Sequence, residues 1–163
     1  MHTRLVPYAA LSAVQVEQLK QLEVHPGQRS ASGDIGSALH TLLDRPAPGI
    51  KGFTLLVDDV PLAFLLLKRP PFLPAWAADD AATLHAFQVD RRHQGHGLGR
   101  ACLQALPAIA RSAWPQINQL MLSVDPQNLA ALNLYLSEGW VDCGNAYRAK
   151  VGYERKLVLK LST

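Results

Sequence analysis

The segment RRHQGHGLGR, Arg91 to Arg100, carries three glycines in five residues between arginines, histidines and a glutamine. An apolar run, LHAFQV (Leu84 to Val89), precedes it, and a helix-like run, ACLQAL, follows from Ala101. A strand that turns into a helix through glycines leaves several backbone N–H groups without intrahelical partners. Those donors and the helix dipole suit a phosphate, and the missing Cβ atoms let an anion approach the backbone. Arg91, Arg92 and Arg100 add positive charge.

Two phosphate-binding patterns fail here. In the dinucleotide fingerprint G-x-G-x-x-G the third glycine would fall at position 100, which is arginine, and no acidic residue ends a strand about twenty positions on. The P-loop needs G-K-[ST], which is absent. What remains is Gln94-Gly95-His96-Gly97-Leu98-Gly99, the pattern Q-x-x-G-x-G.

Working outward, Arg4 to Tyr8 reads as a strand, and Leu11, Val14, Leu19 and Leu22 have helical spacing. VHPGQRSASG breaks the pattern; Ser32 or Asp34 is placed to cap a second helix running to about Leu43. FTLLV and LAFLLLK flank DDVP and predict an antiparallel hairpin. TLHAFQVD predicts a strand, and Leu98 to Trp114 a helix that Pro107 should kink or split. NQLMLSV predicts a strand, Asn128 to Glu138 a helix stopped by Gly139, and Trp140 to Asn145 and Tyr153 to Leu161 two last strands. The order β-α-α-β-β-β-α-β-α-β-β implies a mixed sheet with helices on its faces.

At 163 residues, 48% hydrophobic and 18% charged, the chain has material for one core and is read as one domain, 1–163. A net charge of +3 and a pI near 9.0 favour anionic small molecules, and no basic stripe with interleaved aromatics marks a nucleic-acid surface. Cys102 and Cys143 lie far apart, without metal-ligand spacing, and are read as reduced thiols of a cytoplasmic protein. No signal peptide and no membrane span is read.

The Q-x-x-G-x-G turn after a strand ending in V-D resembles the acetyl-CoA pyrophosphate loop of the GNAT N-acetyltransferase superfamily. VDPQNLAALNLYLSEGW, Val124 to Trp140, is similar to that family's strand-to-helix segment V-x-x-x-N-x-x-A-x-x-x-Y-x-x-x-G-[FW], in the same order and at the usual separation. The resemblance is strongest from Leu84 to Trp140 and weak before Phe53. It implies the acyl-CoA N-acyltransferase fold. In that α/β fold a mixed, largely antiparallel sheet of about seven strands is flanked by four helices, and two of its parallel strands splay apart. The implied activity is acetyl transfer from acetyl-CoA to a primary amine of a small molecule (polyamine, amino acid or similar), by direct attack on the thioester and without a metal. The alternatives are a protein N-terminal or lysine acetyltransferase, or a non-catalytic acyl-CoA-binding module. The partners implied are acetyl-CoA and the amine, with neither nucleic acid nor membrane; a homodimer stays open.

The resemblance also distributes roles. Pantetheine would lie along the strand at Phe87 and Val89, whose backbone bonds it, with the Val89 N–H to polarise the carbonyl; both residues would equally serve as core. Gln94, Gly95, His96, Gly97, Leu98, Gly99 and Arg100 would surround the pyrophosphate. Asn128 suits a helix N-cap and, in the family, lies beside the cofactor. Tyr135, two helical turns on, shares its face and would protonate the departing thiolate. Some protein N-terminal acetyltransferases of this family carry a glutamate where this chain has Ser123, which cannot act as a base. His85 is an alternative base, on the reading that two residues before Phe87 is the same strand face. Asp79 and Asp80 precede this strand as a solvated acidic loop that would attract a cation. Glu23, His25, Tyr147 and Glu154 are expected acceptor contacts, whereas Arg148 and Lys150 would suit an acceptor with a carboxylate.

Overall fold

The computed structural model describes residues 1–23, 35–44, 48–149 and 152–162. Ser32, Asp34, Lys150 and the VHPGQRSASG segment with His25 lie outside the described residues. The elements follow the expected order: β1 Thr3–Pro7, α1 Ala13–Leu19, α2 Ile35–Asp44, β2 Ile50–Val57, β3 Val60–Lys68, β4 Ala81–Val89, α3 Leu98–Ala113, β5 Gln119–Val124, α4 Leu129–Ser137, β6 Val141–Arg148 and β7 Tyr153–Lys160. The strands form one seven-stranded sheet in the order β1-β2-β3-β4-β5-β7-β6. Every pairing is antiparallel except β4 with β5. No helix among the described residues is long and apolar enough to cross a membrane.

Local chemistry explains the elements. Ser12 caps α1 in a reciprocal capping box with Gln15, which satisfies donors that the first turn leaves open. Asp58 and Asp59 both take positive φ, +49° and +69°, the two-residue turn whose twist matches a β2–β3 hairpin. Pro107 does not split its helix: α3 is continuous over 16 residues. Leu98, Cys102, Leu103, Leu106 and Ala110 all bury on one side of α3, and that packing holds the helix across the missing N–H.

The sheet separates two apolar layers. The larger packs α3 and Tyr135 of α4 against Leu67, Leu84, Leu122 and Leu157. On the opposite face, Leu19 of α1 and Ile35 and Leu39 of α2 pack on Phe64 and Leu66, and further along Trp76 covers Ala81, Met121 and Val158.

Two irregularities of β4 position the site. Its pairing with β5 covers only Ala81↔Gln119, Ala82↔Leu120 and Thr83↔Met121, so the parallel strands part while β4 still has six residues to run. Phe64 pairs with Gln88 and Leu66 with His85, which leaves Leu65 opposite both Ala86 and Phe87. The extra residue, Ala86, sits at φ +52°, a β-bulge that bends the strand.

Candidate active site

The splay opens a cavity of about 390 Å³. Its lining includes Phe87 and Val89 of β4, Gln94 to Arg100 except His96, Ser123, Val124 and Asp125 at the end of β5, Asn128 and Tyr135 of α4, and Glu154 of β7. Phe87, Val89, Gln94, Gly95, Gly97, Leu98, Gly99, Arg100, Asn128 and Tyr135 therefore line one cavity. His96 is exposed, sits edge-on to His93 at 6.5 Å between ring centres, and does not border the cavity.

The helix start is built as an open donor set. Asn128 caps α4 by accepting from the Ala131 amide at 3.4 Å, whereas α3 begins at Gly97 with no side-chain cap. Gly95 and Gly97 take φ +85° and +77°, and a Cβ on either would meet nothing within 4 Å. That is a cradle a side chain would fill, and its uncapped amides and the helix dipole favour an anion there. Gly99 has a different reason: a Cβ there would lie 3.1 Å from Cδ2 of Leu134, so its smallness serves the α3–α4 approach.

The three arginines of the turn do not confront this cradle as free charges. Arg91 pairs with Glu23 at 3.2 Å, Arg92 with the buried Asp90 at 2.6 Å, and Arg100 with Glu138. Attraction for an anion therefore comes from backbone amides more than from guanidinium groups. The amide of Asp90 donates to Leu62 of β3 at 2.9 Å, so the alternation of an antiparallel strand turns the Val89 amide to the other edge, where β5 has peeled away.

Tyr135 is 9% exposed, with its ring 6.5 Å from that of Phe87 and 5.9 Å from that of Trp140. Burial pushes its phenol well above the ordinary tyrosine range, so it stays protonated at neutral pH.

His85 does not share a face with Phe87. The inserted Ala86 breaks the two-residue alternation: His85 lies opposite Leu66 on the α1/α2 face, and Phe87 packs in the α3/α4 layer. The His85 Nε2 sits 2.6 Å from the Thr83 hydroxyl, and burial, with a smaller effect of Lys68, lowers its pKa to about 4. It does not border the cavity. The sequence signal for the bulge is the slip in alternation at the consecutive apolar pair Ala86-Phe87; alanine itself does not announce a positive φ. Sequence reasoning also misses Asp125, which follows β5 into the cavity wall, and Gln88, a 3% exposed side chain on the α1/α2 face whose amide nitrogen and oxygen lack partners among the described residues.

Glu154 and Tyr147 occupy one register position of β7 and β6. Ser123 of β5 and Glu154 of β7 both stand close enough to the Tyr147 phenol to influence its titration. Asp79 is in the turn before β4, and Asp80 is held by Asn118 and Gln119 at 3.2 and 2.7 Å, so its carboxylate ties that turn to β5.

Known proteins share this fold. An uncharacterized N-acetyltransferase of Bacillus subtilis, YbbJ, is 27% identical over 100 residues, 60% of this chain and 61% of its own length; the chain thus spans less than two thirds of that relative. The ribosomal-protein-S18-alanine N-acetyltransferase of Escherichia coli superposes over 99% of this chain and 96% of its own, with TM-score 0.63 and 22% identity. The spermidine N-acetyltransferase of Vibrio cholerae, solved with CoA and spermine, does so over 97% and 95%, with TM-score 0.68 and 15% identity. At these identities the two structures speak to the fold. The sequence model described as the acetyltransferase (GNAT) family matches residues 16–140, a span that holds the glycine turn, the splayed strand pair and Tyr135. The chain belongs to the GNAT acetyltransferase family.

Proposed function

We propose that this chain is an acetyl-CoA-dependent N-acetyltransferase whose acceptor is the primary amine of a small molecule. One observation carries the reading: a single cavity joins the uncapped glycine start of α3 to the gap between β4 and β5 and to a buried phenol. In this reading the amides at Gly95 to Gly99 hold the pyrophosphate, and the β4 edge at Phe87 and Val89 aligns pantetheine. Bound acetyl-CoA supplies the acetyl thioester. The chain supplies a hydrogen-bond donor at Val89 N–H for the developing oxyanion and a proton at the Tyr135 hydroxyl for the departing sulfur. The acceptor side of the cavity is bordered by the carboxylates of Asp125 and Glu154, which favours a cationic amine over an anionic acceptor.

The test combines calorimetry with acetyl-CoA and thiol release across spermidine, L-lysine and an alanyl dipeptide. Micromolar binding with amine-dependent thiol release supports the reading; binding with no release for any amine leaves a non-catalytic acyl-CoA module, and release with the dipeptide alone favours a peptide acceptor. Gly97→Val forces a β-branched side chain into a left-handed backbone and into the cradle, and is expected to weaken acetyl-CoA binding at least tenfold. Unchanged affinity in that variant would contradict the pyrophosphate assignment.

A further inference from the structure

The cavity is lined from both faces of the sheet. Tyr135 reaches it from the α3/α4 side. Met121 and Val158 are register partners on the opposite face, so two-residue alternation puts Ser123, next along β5, and Glu154, four back along β7, on that opposite face as well. Ser123 and Glu154 nevertheless border the same cavity as Tyr135. The gap between β4 and β5 is thus a passage through the sheet with a phenol at one side and a carboxylate at the other.

Under the function proposed above, on which this inference rests, one task is unassigned. A primary amine arrives as an ammonium ion and must lose a proton before its nitrogen can attack. We propose that Glu154 is the general base: its carboxylate takes a proton from the acceptor ammonium on the sheet face opposite Tyr135. The freed nitrogen lone pair forms the C–N bond as the C–S bond breaks. The sulfur receives its proton from Tyr135, and the second proton of the new amide nitrogen restores the phenol through solvent. Glu154 returns its proton to water, so each turnover converts an ammonium ion and acetyl-CoA into an amide, CoA and one proton.

The surroundings suit that role. Asp125 faces Glu154 from the end of β5, Tyr147 from β6 and Tyr135 from across the cavity; Lys156 stands two residues along β7 on the same face. Burial and the Asp125 carboxylate raise the Glu154 carboxyl above its ordinary value, partly offset by the neighbouring Tyr147 phenol. The group is therefore a stronger base than an ordinary glutamate, and its pairing opposite Tyr147 in the β6–β7 register fixes its position on the cavity wall. His85, also on this face and next to Lys68, lies 2.6 Å from the Thr83 hydroxyl and does not border the cavity.

Steady-state kinetics of the full chain from about pH 5 to 9 test this, using whichever of spermidine, L-lysine and the alanyl dipeptide wild type acetylates fastest. Glu154→Gln is expected to lower kcat about 100-fold or more and to abolish the acid limb of the kcat profile, with the acetyl-CoA Kd held within twofold as the check on folding. Asp125→Asn removes a negative neighbour, lowers the Glu154 pKa, and so moves the acid limb to lower pH. The proposal is overturned if Glu154→Gln keeps more than a third of wild-type kcat, if only the KM for the amine rises, or if His85→Asn removes the limb instead. If wild type itself acetylates none of the three amines, the proposed function fails, and this base with it; an active wild type with an equally active Gln variant sinks the base alone.

Discussion

Tyr135 combines two properties that usually conflict. It is an anchor of the core, ringed by Phe87 and Trp140, and a polar group on a cavity wall. Burial disfavours its phenolate, so the proton it would give is present across the working pH range. Tyr135→Phe keeps the ring and removes the proton. It is expected to lower kcat about 100-fold while the acetyl-CoA Kd, measured by calorimetry, stays within twofold; unimpaired turnover would remove the acid. The residue types here were legible because Q-x-x-G-x-G and the Asn128–Tyr135 spacing are local patterns. What each glycine does was not. Gly97 opens a helix start, whereas Gly99 spares Leu134, and only the tertiary approach of α4 separates those reasons.

Among the elements, β4 departs furthest from what its sequence announces. Counting LHAFQV by a strict two-residue strand period predicts His85 and Phe87 on one face. The bulge at Ala86 moves them to opposite faces and tilts the strand end. An L-residue at positive φ costs about 1–2 kcal/mol, of which glycine recovers part after its larger unfolded-state entropy. Ala86→Gly is therefore expected to stabilise the protein by about 0.5–1 kcal/mol, a rise of roughly 1–4 °C in Tm by calorimetry or circular dichroism. A fall in Tm would mean that Ala86 is not held in that conformation. Helix α3 shows the reverse lesson: Pro107 reads as a break, and five buried side chains on one face override it.

For the whole molecule, the order of elements was legible end to end, because hydrophobic period and turn residues are read one segment at a time. The sheet order was not: β7 inserts between β5 and β6, and that choice depends on contacts far apart in sequence. Charge was legible only in part. A pI near 9.0 and three arginines beside the glycine turn suggest a positive field, yet Arg91 and Arg100 are paired with Glu23 and Glu138 from distant parts of the chain and Arg92 with its near neighbour Asp90. The carboxylates that border the acceptor side of the cavity come from the ends of β5 and β7, which the sequence places about thirty residues apart and the register brings together.

The brief contact between β4 and β5 divides the sheet into two leaves, β1 to β4 and β5 to β7, bound along a spine of three residue pairs. A ligand lodged between the free margins of the leaves acts as a clasp. Hydrogen–deuterium exchange should report it: acetyl-CoA at one hundred times its Kd is expected to slow the amides of Phe87, Val89 and Val124 by up to about a hundredfold, while those of Leu5 and Leu55, near the outer margin, keep their rates.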